Sequence, residues 1–175
     1  MVDVYDNLFD HHYVKVWYKF VSESYFKAEG LDDYKWSPFQ TQLYSLYSQE
    51  DWERIGICKT PEYRDIIKKY SLNTMEITQI RVNLLTCAER TNLHTDEVGI
   101  TVLYYANPQW EISWGGHTLF MDKKCENVEK TVLFKPGRLV VFDGTHPHMI
   151  LPPTIASPGA RYTLAIQYKK SNMFS

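Results

Sequence analysis

The residues of this chain best suited to chemistry are His94 and Asp96, a His-Pro-His turn at residues 146–148, and Arg161 at the head of an apolar run. Two imidazoles and one carboxylate can occupy one face of an iron(II) ion and leave its remaining positions to an organic acid and dioxygen. A site left open in this way suits oxygenation, whereas a structural site closes its coordination shell. In an extended segment side chains alternate, so His94 and Asp96 point the same way and Thr95 points away. His146 and His148 are also two apart, and periodicity alone does not choose between them as the second imidazole. Each motif has an ordinary alternative: a His-x-Asp triplet is common by chance, and a loop histidine is usually just solvated. Arg161 opens Arg-Tyr-Thr-Leu-Ala-Ile-Gln-Tyr. A guanidinium entering such a core is costly to bury without an anion, and its planar fork suits a carboxylate. A protein ion pair or a snorkelling surface side chain is its ordinary alternative.

The elements that must hold these groups change character near residue 75. From Asp10, a helix N-cap by type, the positions Tyr13, Val16, Trp17, Phe20 and Val21 recur at helical spacing, and Gly30 lies beyond the run. Residues 49–71 predict one or two further helices, with Tyr63, Ile66 and Ile67 on one face and Asp51, Glu53, Lys68 and Lys69 on the other. After Met75 the chain reads as strands over 76–87, 99–106, 117–122, 128–134, 138–143 and 161–169. Asn107-Pro108, Gly115-Gly116, Lys135-Pro136-Gly137 and Pro152-Pro153 supply the breaks. Many short strands at this spacing predict a double-sheet jelly roll, which closes its core without long exposed edges. The expected architecture is α+β: a double-stranded β-helix buttressed by N-terminal helices. A single domain is expected over 1–175, with 1–74 mainly helical support and 75–170 the jelly-roll core.

Composition narrows the classes. At 175 residues with 44% hydrophobic and 23% charged side chains, one domain can bury a substantial core. A formal net charge of −2 gives no overall basic field, which disfavours nonspecific nucleic-acid binding. Cys58, Cys87 and Cys125 are odd in number and widely spaced, which fits neither a disulfide framework nor paired zinc knuckles. Acids and histidines interrupt the N-terminal apolar positions, and no run reaches membrane-spanning length, so a cytoplasmic protein is the expectation.

Taken in order, residues 80–168 resemble the prolyl-4-hydroxylase-like branch of the iron(II)- and 2-oxoglutarate-dependent oxygenases. The resemblance rests on His94-Thr-Asp96, Val102-Leu-Tyr-Tyr-Ala-Asn107 followed by Trp110, Trp114-Gly-Gly, Pro136-Gly-Arg-Leu-Val-Val-Phe142, His148, and Arg161-Tyr-Thr-Leu. It implies that His94, Asp96 and His148 bind iron and that Arg161 binds the distal carboxylate of 2-oxoglutarate. His148 is favoured over His146 because similar sequences carry a Pro-His pair here, matching Pro147-His148. Tyr105 matches a tyrosine whose hydroxyl bonds the same carboxylate, with a core aromatic as its ordinary role. The implied cofactor and cosubstrates are iron(II), 2-oxoglutarate and dioxygen, with ascorbate as an optional accessory. The implied activity is hydroxylation of an amino-acid residue in a protein or peptide, or of a small molecule, coupled to conversion of 2-oxoglutarate to succinate.

The chain also departs from the pattern. Thirteen positions separate His148 from Arg161, and residues 151–159 form the excess. The strand around 81–85 lacks a tyrosine that some relatives use near the cosubstrate, and His117 stands where an acidic residue is common. Most of the 13 Tyr, 8 Phe and 5 Trp are expected in the core, with Trp110 and Trp114 as candidates to line the cleft. His11 and His12 are read as a solvated helix start. Two other readings stay open: a metal-binding, cupin-like interaction domain without turnover, and a nucleic-acid-base oxygenase, which would require a basic, aromatic-lined cleft.

Overall fold

Alternation of side chains along the strands is what builds this molecule. The computed structural model describes residues 1–28, 43–89, 91–96 and 99–170; Gly30 lies outside them. In chain order the elements are β1 (Val2–Tyr5), α1 (His11–Ser22), β2 (Lys27–Ala28), β3 (Leu43–Leu46), α2 (Gln49–Ile55), α3 (Pro61–Lys69), β4 (Met75–Leu85), β5 (Ile100–Tyr105), β6 (Thr118–Met121), β7 (Val128–Val132), β8 (Leu139–Asp143), β9 (His148–Ile150) and β10 (Arg161–Lys170). The strands form two sheets, of order β1-β8-β5-β10-β4-β3-β2 and β7-β6-β9, and their pairings are antiparallel. This is the jelly roll expected from the strand spacing.

Two apolar layers follow from the two faces of the large sheet. Ile80, Val82, Val102, Tyr104, Leu164 and Ile166 point outward and pack with Trp17, Val21, Trp52, Tyr63 and Ile66 of the helices. On the opposite face Leu103, Tyr105, Val140 and Phe142 meet Phe120, Val132 and Phe134 between the sheets. The residues of β4, β5 and β10 that face this interior are therefore the ones available to a ligand.

Local chemistry sets the helix ends. Asp10 caps α1 by accepting from the His12 amide at 2.7 Å, and Ser48 and Asp51 form a reciprocal capping box on α2. Thr60 and Pro61 start α3, and Lys68 and Lys69 occupy its last turn. The buried stripe of α1 differs from the expected one. Val14, Trp17 and Val21 face the sheet, whereas Tyr13 and Val16 are about half exposed. Trp17 meets Phe9 and Tyr104 edge-on, and Val14 lies where a Cβ on Gly137 would come within 3.0 Å of it. This close approach rotates the helix onto Val14.

The N-terminal region is less purely helical than expected, because β1, β2 and β3 extend the large sheet at both edges. The segment 148–150, read as part of a turn, is a short strand pairing β6. No helix among the described residues is long and apolar enough to cross a membrane.

Candidate active site

His94 and His148 are brought together by backbone pairing. The His94 amide donates to the His148 carbonyl at 3.0 Å, and the His148 amide returns a bond to the His94 carbonyl at 2.9 Å. The rings lie 4.4 Å apart between centroids. Asp96 follows two residues on, its amide bonded to the Gly144 carbonyl at 2.8 Å. Its Oδ1 is 3.8 Å from Nε2 of both His94 and His148. One ligand atom from each residue lies within 4.8 Å of the others. Small side-chain rotations would let a single ion with bonds of about 2.1 Å touch all three.

The surrounding contacts fix the orientation and protonation of those atoms. Nδ1 of His94 lies 2.9 Å from the Asn92 carbonyl, and Nδ1 of His148 lies 2.9 Å from the His146 carbonyl. A carbonyl only accepts, so both rings carry their proton on Nδ1 and present Nε2 as a lone pair. Burial pushes the His148 pKa down, against the opposing pull of Asp96, which favours the neutral form that binds metal. Thr101 Oγ1 donates to Asp96 Oδ2 at 2.5 Å, leaving Oδ1 turned toward the imidazoles. His94 is the open side of the group, its side chain 41% exposed against 4% for His148.

His146 lies elsewhere. Its Nε2 contacts the Met121 carbonyl at 3.0 Å and Glu129 at 3.3 Å, and it lines a different cavity from the one beside the cluster. The structure thus brings His148, not His146, to His94 and Asp96.

Arg161 is wholly buried between the sheets. Its Nε donates to the Gly116 carbonyl at 2.7 Å, and its terminal nitrogens reach Thr163 at 3.3 Å and Thr118 at 3.5 Å. Among the described residues no carboxylate pairs with it. Desolvation lowers its pKa to about 10, so it remains a cation at neutral pH. Gly116, with φ +73°, makes this position possible: a Cβ there would come within 3.1 Å of both Arg161 and Trp110. Tyr105 stacks on Phe134 and places its ring 5.3 Å from the Arg161 guanidinium carbon. Its hydroxyl bonds Thr118 at 2.7 Å, so it is both a core aromatic and a neighbour of the cation.

A cavity of about 310 Å³ opens beside the cluster, floored by Leu103, Phe142 and Ile150 and walled on one side by Gln79, Arg81 and Gln167. Thr101, Thr118 and the polar wall of β4 escaped the sequence reading. Thr101 shares an alternating face with Leu103 and Tyr105, the one signal that would have pointed to it. Trp110 and Trp114 line a different cavity, with residues 157–160. The excess residues 151–159 are tied down there, with Thr154 bonded to the Trp114 carbonyl at 2.8 Å. His117 accepts from the Phe134 amide through Nδ1 at 3.2 Å; burial and the nearby Arg161 depress its pKa.

Residues 81–169 match the model of the 2OG-Fe(II) oxygenase superfamily. The chain belongs to that superfamily. Membership carries dependence on iron(II), 2-oxoglutarate and dioxygen, and the donor set and buried cation described above fit those groups. No curated protein matches this oxygenase significantly. Among solved structures it resembles a prolyl-4-hydroxylase from Pseudomonas putida, at 16% identity over 96% of this chain and 92% of the other, with a TM-score of 0.70. A Trichoplax adhaerens prolyl hydroxylase in complex with a hypoxia inducible factor peptide fragment matches at 18% identity over 97% and 83%, TM-score 0.66. HygX from Streptomyces hygroscopicus, solved with nickel and 2-oxoglutarate, matches at 9% over 98% and 83%, TM-score 0.70. At these identities the structural likenesses speak for the fold.

Proposed function

We propose that this oxygenase hydroxylates a C–H bond of an amino-acid residue or small molecule, with His94, Asp96 and His148 as the iron ligands and Arg161 as the anchor of 2-oxoglutarate. The carrying observation is the meeting of two imidazoles and a carboxylate within 4.8 Å, in the same interior as a buried arginine that has no carboxylate among the described residues. When bound, the metal and cosubstrate supply the oxidative chemistry: one oxygen atom of dioxygen enters the substrate C–H bond, the other enters succinate, and carbon dioxide leaves.

The protein's own residues place and shield these groups. The Asn92 and His146 carbonyls hold the two imidazoles in the ligating tautomer, and Thr101 orients Asp96. Arg161 offers its planar fork to the far carboxylate, beside the hydroxyls of Thr118, Thr163 and Tyr105. Leu103, Phe142 and Ile150 keep water from the reacting side. The chain acts as one domain in this reading, its helices stiffening the large sheet from outside.

The test is iron-dependent formation of succinate from 2-oxoglutarate under air, with and without a peptide and metabolite panel. Arg161→Gln should raise the KM for 2-oxoglutarate by on the order of a hundredfold, from loss of a buried charge-assisted pair. Iron binding without succinate formation, whatever the added compound, would favour the interaction-domain reading instead.

A further inference from the structure

Arg161 is the first residue of β10 and follows the long connection 151–160, a place where the backbone ladder gives little support. Its neighbour β5 stops at Tyr105. The register that pairs Tyr105 with Thr163 would set residue 107 opposite Arg161, but Pro108 comes next and has no amide to donate. The side chain of Asn107 takes over where the ladder ends. Its Nδ2 donates to the Ala160 carbonyl at 2.9 Å, and its Oδ1 accepts from the Tyr162 amide at 2.7 Å. Those two residues flank Arg161 in the chain. A carbonyl only accepts and an amide N–H only donates, so the buried carboxamide satisfies both in one orientation alone.

Trp110, in the same connection after β5, acts on the other end of the same arginine. Its Nε1 donates to the Gly115 carbonyl at 3.0 Å, and the next carbonyl, that of Gly116, accepts from Arg161 Nε at 2.7 Å. The indole packs on Phe134 with ring centroids 4.5 Å apart, and the guanidinium carbon lies 5.0 Å from the Phe134 centroid. A Cβ on Gly116 would come within 3.1 Å of both the indole and the Arg161 stem, so these two side chains enclose that glycine. Neither Asn107 nor Trp110 lines the cavity beside the metal cluster; both line the one shared with residues 157–160. Any influence they have on the reaction therefore runs through Arg161. A guanidinium engages a carboxylate bidentately only when its direction is fixed, and a misplacement of about 1 Å is enough to forfeit much of the gain.

Resting on the function proposed above, we infer that Asn107 and Trp110 are positioning residues for 2-oxoglutarate: Asn107 fixes the main chain on both sides of Arg161, and Trp110 fixes the carbonyl turn that holds its guanidinium. Together they aim the arginine at the distal carboxylate. The longer the connection before β10, the more Arg161 depends on this support, because residues 151–159 supply no ladder of their own on its N-terminal side.

The full-length protein, loaded with iron(II) and kept free of oxygen, is titrated calorimetrically with 2-oxoglutarate and with 2-oxopentanoate, a keto acid of the same chain length that lacks the distal carboxylate. The unaltered protein should favour 2-oxoglutarate by on the order of a hundredfold, from the charge-assisted pair with Arg161. Asn107→Ala should cut that preference about tenfold. Trp110→Phe, which removes the indole donor and keeps a ring against Phe134, should cut it in the same direction by less. Affinity for iron(II) and for 2-oxopentanoate should be unchanged in both variants, an outcome that a general loosening of the fold would not give. An unchanged preference in either variant, or parallel weakening of both keto acids, overturns the inference. Where Asn107→Ala does not fold, Trp110→Phe decides it by the same measure. An unaltered protein that binds iron(II) but takes the two keto acids equally would remove Arg161 as the anchor, and with it the function proposed above; failure confined to the variants leaves that function standing.

Discussion

Asp96 has two oxygens with two different tasks. Oδ1 lies 3.8 Å from each imidazole, and Oδ2 takes the Thr101 hydroxyl at 2.5 Å. A carboxylate held on one oxygen loses less freedom when the other engages a cation. Thr101→Val, which keeps the shape and removes the hydroxyl, is expected to weaken iron(II) binding about tenfold in an anaerobic titration, and Thr101→Ser to restore most of it. Equal affinity in Thr101→Val would show that the hydroxyl merely fills space. At this scale the sequence was legible where a side chain announces its chemistry by type, as His94, Asp96 and Arg161 do. It was silent on Thr101 and Thr118, because a hydroxyl acquires its role from what the fold sets across from it. The choice between His146 and His148 was open for the same reason: two residues of one short turn have the same period, and only their pairing with β6 and the His94 segment sends one inward.

Among the elements, most strands after Met75 were readable from the turn residues that separate them, α1 from its cap and periodicity, and α2 and α3 from periodicity as one or two helices. β1, β2, β3 and β9 were not, since two to four residues give little period to read; β6, equally short, was marked by the Gly115-Gly116 break before it. The orientation of α1 was likewise hidden, because two adjacent stripes of the helix are apolar and the contact with Gly137 decides between them. The layer that α1 makes with β5 contains one imperfect group. Tyr104 is fully buried among Phe9 and Trp17, and its hydroxyl has no hydrogen-bond partner among the described residues. Burial alone raises its pKa. A buried hydroxyl without a partner costs roughly 1–3 kcal/mol, so Tyr104→Phe is expected to leave stability unchanged or raise it by about 1 kcal/mol, as read by urea unfolding. A clear loss of stability would mean that the hydroxyl is satisfied in solution.

The molecule as a whole depends on distant stretches being held in one frame. Asp6, just after β1, accepts from Arg138 Nε at 2.7 Å and from its terminal nitrogen at 2.8 Å, with Lys135 at 3.3 Å. It thereby ties the N-terminus to the turn that leads into β8. The Arg138 hydrogen bond lowers the Asp6 pKa below its ordinary value near 3.8. A depressed carboxylate pKa stabilises the fold fully above that ordinary value, and the contribution disappears as pH falls through the lower folded value. Asp6→Asn should therefore lower the urea midpoint near neutral pH, with the gap from the unaltered protein closing in strong acid; a gap that stays constant with pH would exclude the ionic contribution. The same frame carries the central claim, which is that His94 and Asp96 on one segment and His148 on β9 meet as a single metal centre. Anaerobic iron(II) titration of His146→Ala and His148→Ala, made separately in the otherwise unaltered protein, tests it most directly. The structure predicts near-normal binding in His146→Ala and loss of binding in His148→Ala; loss in His146→Ala with binding preserved in His148→Ala would contradict it.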